Sequence, residues 1–192
     1  MQQIDESQDV LINEHWKSMK ISIPASTVFS SILRDIIWSL VQNDTLFSSK
    51  WKYRIQLMAD ELINNAIEHW SVPGDMVTIT VTLYNNSDVL IMVEDKWTWW
   101  KNVDPETLMI NVKQNREELL KHPFSNKSVR WRWLAMIVLS WSDEFSYEKN
   151  CSWWLTAKML KRFCEECWEP LESNPKMETN YKNQMQVETV VF

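Results

Sequence analysis

The sequence predicts an α/β domain of two layers, and two observations support that fold class. Residues 26–40 and 53–69 repeat apolar side chains at the three- and four-residue spacing of amphipathic helices. Residues 76–84 alternate apolar and polar side chains, and residues 89–93 form a short apolar run after a polar turn. Because such helices and strands must bury their apolar sides against one another, we expect helices packed on a sheet.

Local sequence signals predict the secondary-structure elements in the first half of the chain. Residues 20–24 alternate and predict a strand, which Pro24 ends. Ser26 is a candidate cap for the first helix. The central helix, 53–69, is followed by Trp70, at a position where a helix commonly needs glycine.

The second half is less regular. Residues 73–75 predict a turn before the hairpin. Residues 101–129 are polar and irregular, with one candidate helix near 112–121, and long loops of this kind tend to be functional lids. A buried helix is then expected from residue 130, followed by two closing strands at 143–148 and 155–160.

Length and charge limit the classes of protein. A chain of 192 residues predicts one domain, which we place at 19–163 between an N-terminal extension (1–18) and a polar, poorly ordered tail (164–192). The net charge of −6 and the lack of a cationic cluster argue against nucleic-acid binding. The sequence has neither a membrane-length apolar run nor a leader pattern, so we expect a cytoplasmic protein with protein and small-molecule partners.

The three cysteines predict no disulfide framework, because their number is odd. Cys164 and Cys167 form a single C-x-x-C, whereas Cys151 stands apart. Without a second pair or a nearby histidine, we interpret the C-x-x-C as incidental rather than as a zinc or redox site.

The balance of glycine and tryptophan is abnormal. The chain has 1 glycine and 13 tryptophans, whereas average usage predicts roughly 13 glycines in a chain of this length. Several tryptophans also stand where a backbone needs glycine, as Trp153 and Trp154 do. We hypothesise that most of them are UGA codons translated as tryptophan although the source organism reads UGA as glycine. A tryptophan-rich binding protein is the alternative, but it does not explain the missing glycines, and UGG codons at these positions would contradict the hypothesis.

The central helix carries the first candidate site. Glu61 and Asn65 lie four residues apart, so a carboxylate and a carboxamide point the same way from adjacent turns. That pair suits a general base beside an oxygen ligand for a metal. A solvated helix face is the alternative, and we prefer it for Glu68. Asn64 points about 100° away from Asn65 and is not expected to bind metal, and His69 is interpreted as structural.

Three separated motifs resemble one protein family when tryptophan is read as glycine. They are Glu-x-x-x-Asn-Ala-x-x-His-Gly at 61–70, Asp-x-Gly-x-Gly at 95–99 and Arg-Gly-x-Gly-Leu at 130–134. In this order they resemble the GHKL ATPase superfamily, and within it the anti-sigma factor serine/threonine kinases of bacterial partner-switching systems. The resemblance covers about residues 20–163 and implies a Bergerat-type ATP-binding fold, with a mixed sheet covered on one face by helices.

The resemblance implies roles for individual residues. Asn65 would bind the Mg²⁺ of ATP, and Glu61 would be the catalytic base. Asp95 would accept the adenine amine, with Thr156 as the strand hydroxyl that supports it. The remaining nucleotide-binding positions would be backbone approaches or phosphate contacts near a helix N-terminus, namely Trp97, Trp99, Arg130, Trp131, Arg132, Trp133 and Leu134. Taken alone, each would be better explained structurally, Asp95 as a strand end and Arg132 as a surface cation.

The implied function is that of a Mg-ATP-dependent protein serine/threonine kinase. It would phosphorylate an anti-sigma antagonist and bind a sigma factor, and a homodimer is compatible with this class. A histidine-kinase-like ATPase domain is one alternative, and a non-catalytic module that binds a regulator under nucleotide control is another. These expectations belong to the glycine version, because indoles at these positions would fill the space that phosphate and adenine need.

Overall fold

A computed structural model describes residues 9–13, 15–72, 74–95, 104–121, 134, 138–149 and 155–167. The described elements form a two-layer α/β sandwich, which confirms the predicted fold class. One layer is a six-stranded sheet in the order β1-β2-β3-β4-β6-β5. Its strands are β1 (Asp9–Asn13), β2 (Trp16–Pro24), β3 (Met76–Tyr84), β4 (Val89–Asp95), β5 (Glu144–Lys149) and β6 (Leu155–Lys161).

Every pairing between these strands is antiparallel, so the expected mixed sheet is corrected. The reason lies in the connection between β2 and β3. It contains two helices, α1 (Ser30–Asp44) and α2 (Ser49–Asn65), which pack on each other. Two consecutive helices return the chain to the end of the sheet where β2 finished, and Pro24 therefore pairs with Met76.

The sheet begins earlier than the predicted first strand. β2 starts at Trp16 rather than at residue 20, and it pairs with β3 along its full length. β1 adds a further strand at the edge, so part of the predicted N-terminal extension belongs to the sheet. Ser26 precedes a single 3₁₀ turn, Thr27–Phe29, and its side chain makes no capping hydrogen bond.

The core lies between one face of the sheet and the two helices. Alternate residues of β4, from Val89 to Val93, are buried and pack with the inward stripes of α1 and α2. The helices contribute fully buried aliphatic side chains, each of which stabilises the fold by about 1.5–3 kcal/mol. These residues are Leu33, Ile37, Val41, Ile55, Leu62 and Ile63.

Much of the predicted lid is a helix. α3 (Pro105–Lys121) packs against β5, and Leu108, Val112 and Leu119 are its buried residues. Its start has a signal that the sequence interpretation missed. Asp104 accepts hydrogen bonds from the Thr107 amide (2.9 Å) and hydroxyl (2.6 Å), as an N-cap does. These bonds, the hydroxyl bond first, lower the pKa of the Asp104 carboxyl.

The chain then returns to the sheet through a short helical turn, α4 (Leu139–Trp141), before β5 and β6. The closing strands agree with the predicted ranges to within one residue.

The C-terminal end of the described chain corrects the interpretation of the cysteines. A 3₁₀ turn, Glu165–Cys167, follows β6, and a disulfide joins Cys164 to Cys167. Cys167 is buried in the core. The ordered structure thus extends past residue 163, while the division of the whole chain into extension, domain and tail stays a prediction.

Among the described helices, none combines the length and the apolar character that crossing a bilayer requires.

Candidate functional site

The site is built on α2, whose start is fixed by a capping residue. Ser48 precedes the helix, and its hydroxyl accepts a hydrogen bond from the Trp51 amide at 3.4 Å. The inward stripe, which includes Met58 and Ala59, is fully buried. That packing fixes the rotation of the helix and so sets the direction of its polar residues.

Asn65 lies at the last position of α2 and is 7% exposed. Its side-chain nitrogen donates to the Glu61 carbonyl at 2.6 Å, along the helix axis. Because the nitrogen makes this bond, the carboxamide oxygen is turned away from the Glu61 carbonyl, and an oxygen is what Mg²⁺ binds. Glu61 itself is half-buried on the preceding turn. The structure therefore brings the two predicted residues together.

The neighbouring polar residues of α2 face α1 instead. Asn64 accepts a hydrogen bond from the Ser30 hydroxyl at 2.9 Å, so its side chain contacts α1. Asp60 is half-buried beside Arg34. Burial raises the pKa of the Asp60 carboxyl, and the Arg34 charge opposes that shift. One helix thus divides its polar residues between a structural interface and the candidate site.

The helix ends without the glycine geometry that was expected at Trp70. Residues Ala66–Trp70 form a π-helical turn, closed by the Ser71 amide donating to the Ala66 carbonyl at 3.0 Å. Trp70 is 7% exposed and belongs to the core. Among described residues, positive φ occurs only at Ser87 and Gly74. The wider turn accommodates the indole, and single π-helical turns are frequent at functional sites.

Asp95 lies at the carboxyl end of β4, 2% exposed, in register with Val77 and Leu155. The π-helical turn after α2 packs against β4, so both candidate segments lie on the helical side of the sheet. Burial first, and then the negative charge of Asp95, raises the pKa of the Tyr147 hydroxyl on β5. Asp95 is therefore a buried acid in a region of low dielectric constant.

Thr156 is not brought together with Asp95. Its register partners are Glu94 on β4 and Glu148 on β5. Since side chains alternate between the faces of a sheet, Thr156 projects to the face opposite that of Asp95. The structure thus places the Thr156 side chain on the opposite face of the sheet from Asp95, and its part in an adenine site stays a prediction.

Most of the phosphate-binding candidates lie outside the described residues. This applies to Trp97, Trp99, Arg130, Trp131, Arg132 and Trp133. Leu134, the last residue of the third motif, is fully buried in the core. Its side chain therefore serves packing, while the role of its amide stays a prediction.

A groove of about 570 Å³ opens on the other face of the sheet. Leu90, Lys158 and Leu160 line its floor, and Glu144 and Arg162 form an ion pair at its rim. None of its lining residues belongs to the predicted nucleotide site, so this groove is a separate feature.

Comparison with known proteins adds little. No protein-family model matches the chain, and no curated protein matches it. Among solved structures, the histidine kinase domain of the blue-light-activated histidine kinase from Erythrobacter litoralis EL346 is similar at a TM-score of 0.40 and 13% identity. The match covers 73% of this chain and 61% of that domain. Likeness at this level supports no inference about activity.

Proposed function

We propose that the chain is a Mg-ATP-dependent protein serine/threonine kinase of the anti-sigma type. It would phosphorylate a small antagonist protein and bind a sigma factor. The observation that carries the proposal is the placement of Glu61 and Asn65 on adjacent turns at the end of α2, beside the strand that ends in Asp95. The order of the three sequence motifs supplies the assignment of each residue.

The described side chains fit Mg-ATP in chemical type. The Asn65 oxygen is a hard ligand for Mg²⁺. The Asp95 carboxylate is a buried acceptor for an amine of the base. Mg-ATP, when bound, supplies an activated phosphoryl group. Glu61 would orient a serine or threonine hydroxyl of the partner and take its proton.

Phosphotransfer with Glu61→Gln tests the proposal. The glycine-restored protein is incubated with labelled ATP and candidate antagonists. The amide keeps the shape of the side chain but cannot accept a proton, so transfer should fall by about 10²- to 10⁴-fold. ATP affinity should stay nearly constant, whereas Asn65→Ala should weaken magnesium-dependent binding.

Glu68→Gln is the matched control. It changes the same residue type at an exposed position of the π-helical turn that follows α2. It should leave the rate of transfer unchanged. Acid-labile phosphohistidine on the partner would replace the proposal with a histidine kinase activity, and binding without transfer would replace it with a nucleotide-gated module. Equal loss of ATP affinity in the Glu61 and Asn65 variants would make Glu61 structural.

A further inference from the structure

The segment after β6, residues 162–167, is called the C-terminal hook here because it folds back and contacts the residues at the start of α2. The Phe163 ring packs edge-on against Phe47, with 5.4 Å between centroids. The Phe163 amide donates to the Asp88 carboxylate at 2.8 Å. At the other end of the hook, the Ser48 amide donates to the Cys167 carbonyl at 2.7 Å. The hook therefore contacts the residue that caps α2.

The two cysteines of the hook differ sharply in access to solvent. Cys164 is exposed, whereas Cys167 is 1% exposed and lies in the core. Their Cα atoms are 5.2 Å apart, within the usual range of about 4.4–6.8 Å for a disulfide. We propose that Cys164 and Cys167 form a reversible thiol–disulfide site, which fastens the hook to the N-terminus of α2 when oxidised.

The chemistry needs a small-molecule disulfide, and glutathione disulfide is a suitable class of oxidant. The exposed Cys164 thiolate attacks one sulfur of glutathione disulfide and releases one glutathione thiolate. The Cys167 thiolate then attacks the Cys164 sulfur of the mixed disulfide and releases the second glutathione. Two protein thiols are oxidised to a disulfide, and one glutathione disulfide is reduced to two glutathione thiols, which take up the two protons that the protein thiols lose.

The redox state of the cysteine pair should affect α2 through Ser48. The Ser48 hydroxyl and carbonyl accept hydrogen bonds from the amides of Trp51 and Lys52, at 3.4 Å and 2.9 Å. A closed disulfide limits the positions open to the Cys167 carbonyl, and so holds Ser48 in its capping geometry. The reduced hook can leave this position at lower cost. The site thus links the redox state of the surroundings to the helix that carries Glu61.

Hydrogen exchange with mass spectrometry tests the site on the full chain without nucleotide, so its failure is distinct from failure of the proposed kinase activity. Cys151 is replaced by serine throughout, and the protein is equilibrated with reduced or oxidised glutathione. Alkylation should label two thiols in the reduced protein and none in the oxidised protein. Exchange in the peptide spanning residues 46–53 should be about tenfold slower after oxidation.

Cys164→Ser and Glu166→Gln are the paired variants, both at exposed positions of the hook. Cys164→Ser should exchange like the reduced protein under both conditions, while Glu166→Gln should retain the tenfold difference. The proposal is overturned if the pair resists reduction or resists oxidation by an excess of glutathione disulfide. Equal exchange in the two redox states, or a difference that persists in Cys164→Ser, overturns it as well.

Discussion

At the scale of single residues, burial separates Asp95 from the exposed acidic groups of the helical layer. Asp95 is nearly inaccessible at the end of a strand, whereas Asp35 and Glu68 are exposed on the helical layer. A buried carboxylate is stabilised by hydrogen-bond donors, and under the proposed function the amine of an adenine base would be one of them. Because Asp95 is buried, even the change of its carboxylate to a carboxamide should alter the affinity for a ligand that contacts it.

Asp95→Asn should therefore weaken nucleotide binding in the glycine-restored protein. The amide presents a donor where the base also donates, and such a mismatch costs about 1–3 kcal/mol, or about fivefold to 150-fold in Kd. Calorimetric titration with Mg-ATP measures the change. Asp35→Asn, at an exposed position of α1, should bind like the unchanged protein. Unaltered affinity in Asp95→Asn would mean that this residue does not contact the base.

Thr156 shows why single residues of a strand are hard to assign from sequence. The strand was predicted correctly, but a shift of one residue in register moves a side chain to the opposite face. Register depends on the partners Glu94 and Glu148, which belong to other strands. A local pattern contains no information on those partners. Helical spacing alone fixes the relation between Glu61 and Asn65, so the sequence could predict their proximity, while their roles stay a prediction.

At the scale of elements, α2 combines a capped start, a buried lysine and, at its end, the residues of the proposed site. Lys52 is 3% exposed, and its amine donates to the Gln42 carbonyl at 3.0 Å. Burial lowers the pKa of this amine below its ordinary value of 10.5. The folded protein therefore releases the Lys52 proton at a lower pH than the unfolded chain does.

This difference predicts a pH dependence of stability. Between the lowered pKa and 10.5, the unfolded chain holds a proton that the folded protein has released, so the free energy of unfolding rises with pH. The rise is at most about 1.4 kcal/mol per pH unit for one proton. Urea unfolding from pH 7 to 10.5 should show this rise in the unchanged protein and its loss in Lys52→Met. Lys50→Met, exposed on the same turn, should keep it, and an identical slope in all three proteins would contradict the assignment.

The elements found by sequence alone are those with strong periodicity. The hairpin of β3 and β4 and the central helix needed only local patterns. The sequence pattern predicts a lid over much of α3, because the buried residues of this helix are few and its exposed face is polar. The aspartate cap at Asp104 followed by Pro105 is the signal that could have found its start.

At the scale of the whole molecule, the tryptophans do not all have the same explanation. Trp51 contacts two cations, with Arg54 at 4.7 Å and Lys161 at 4.3 Å from its ring centroid. This is the environment of a tryptophan that contributes to packing. The tryptophans of the second and third motifs are among those that the recoding hypothesis assigns to glycine.

Replacement by glycine should therefore have opposite effects on stability at Trp51 and at the tryptophans of the second and third motifs. Trp51→Gly should destabilise the fold by about 3–5 kcal/mol, as the loss of a packed aromatic does. Trp97→Gly, Trp99→Gly, Trp131→Gly and Trp133→Gly should instead raise the melting temperature or the affinity for Mg-ATP. Thermal melts of the five single variants with and without Mg-ATP measure this contrast. Destabilisation by all five would contradict both the recoding hypothesis and the family assignment.

The antiparallel pairing of β2 with β3 also has a consequence for how the chain folds. The hairpin of β3 and β4 closes through a four-residue turn and can form within microseconds. On both sides the hairpin pairs with a strand from a distant part of the chain, β2 on one side and β6 on the other. Ser22 and Thr78, for example, share a hydrogen bond and are 56 positions apart. Closing such long loops slows folding. We therefore expect the hairpin to form early and the sheet around it to be completed only when β2 docks on β3.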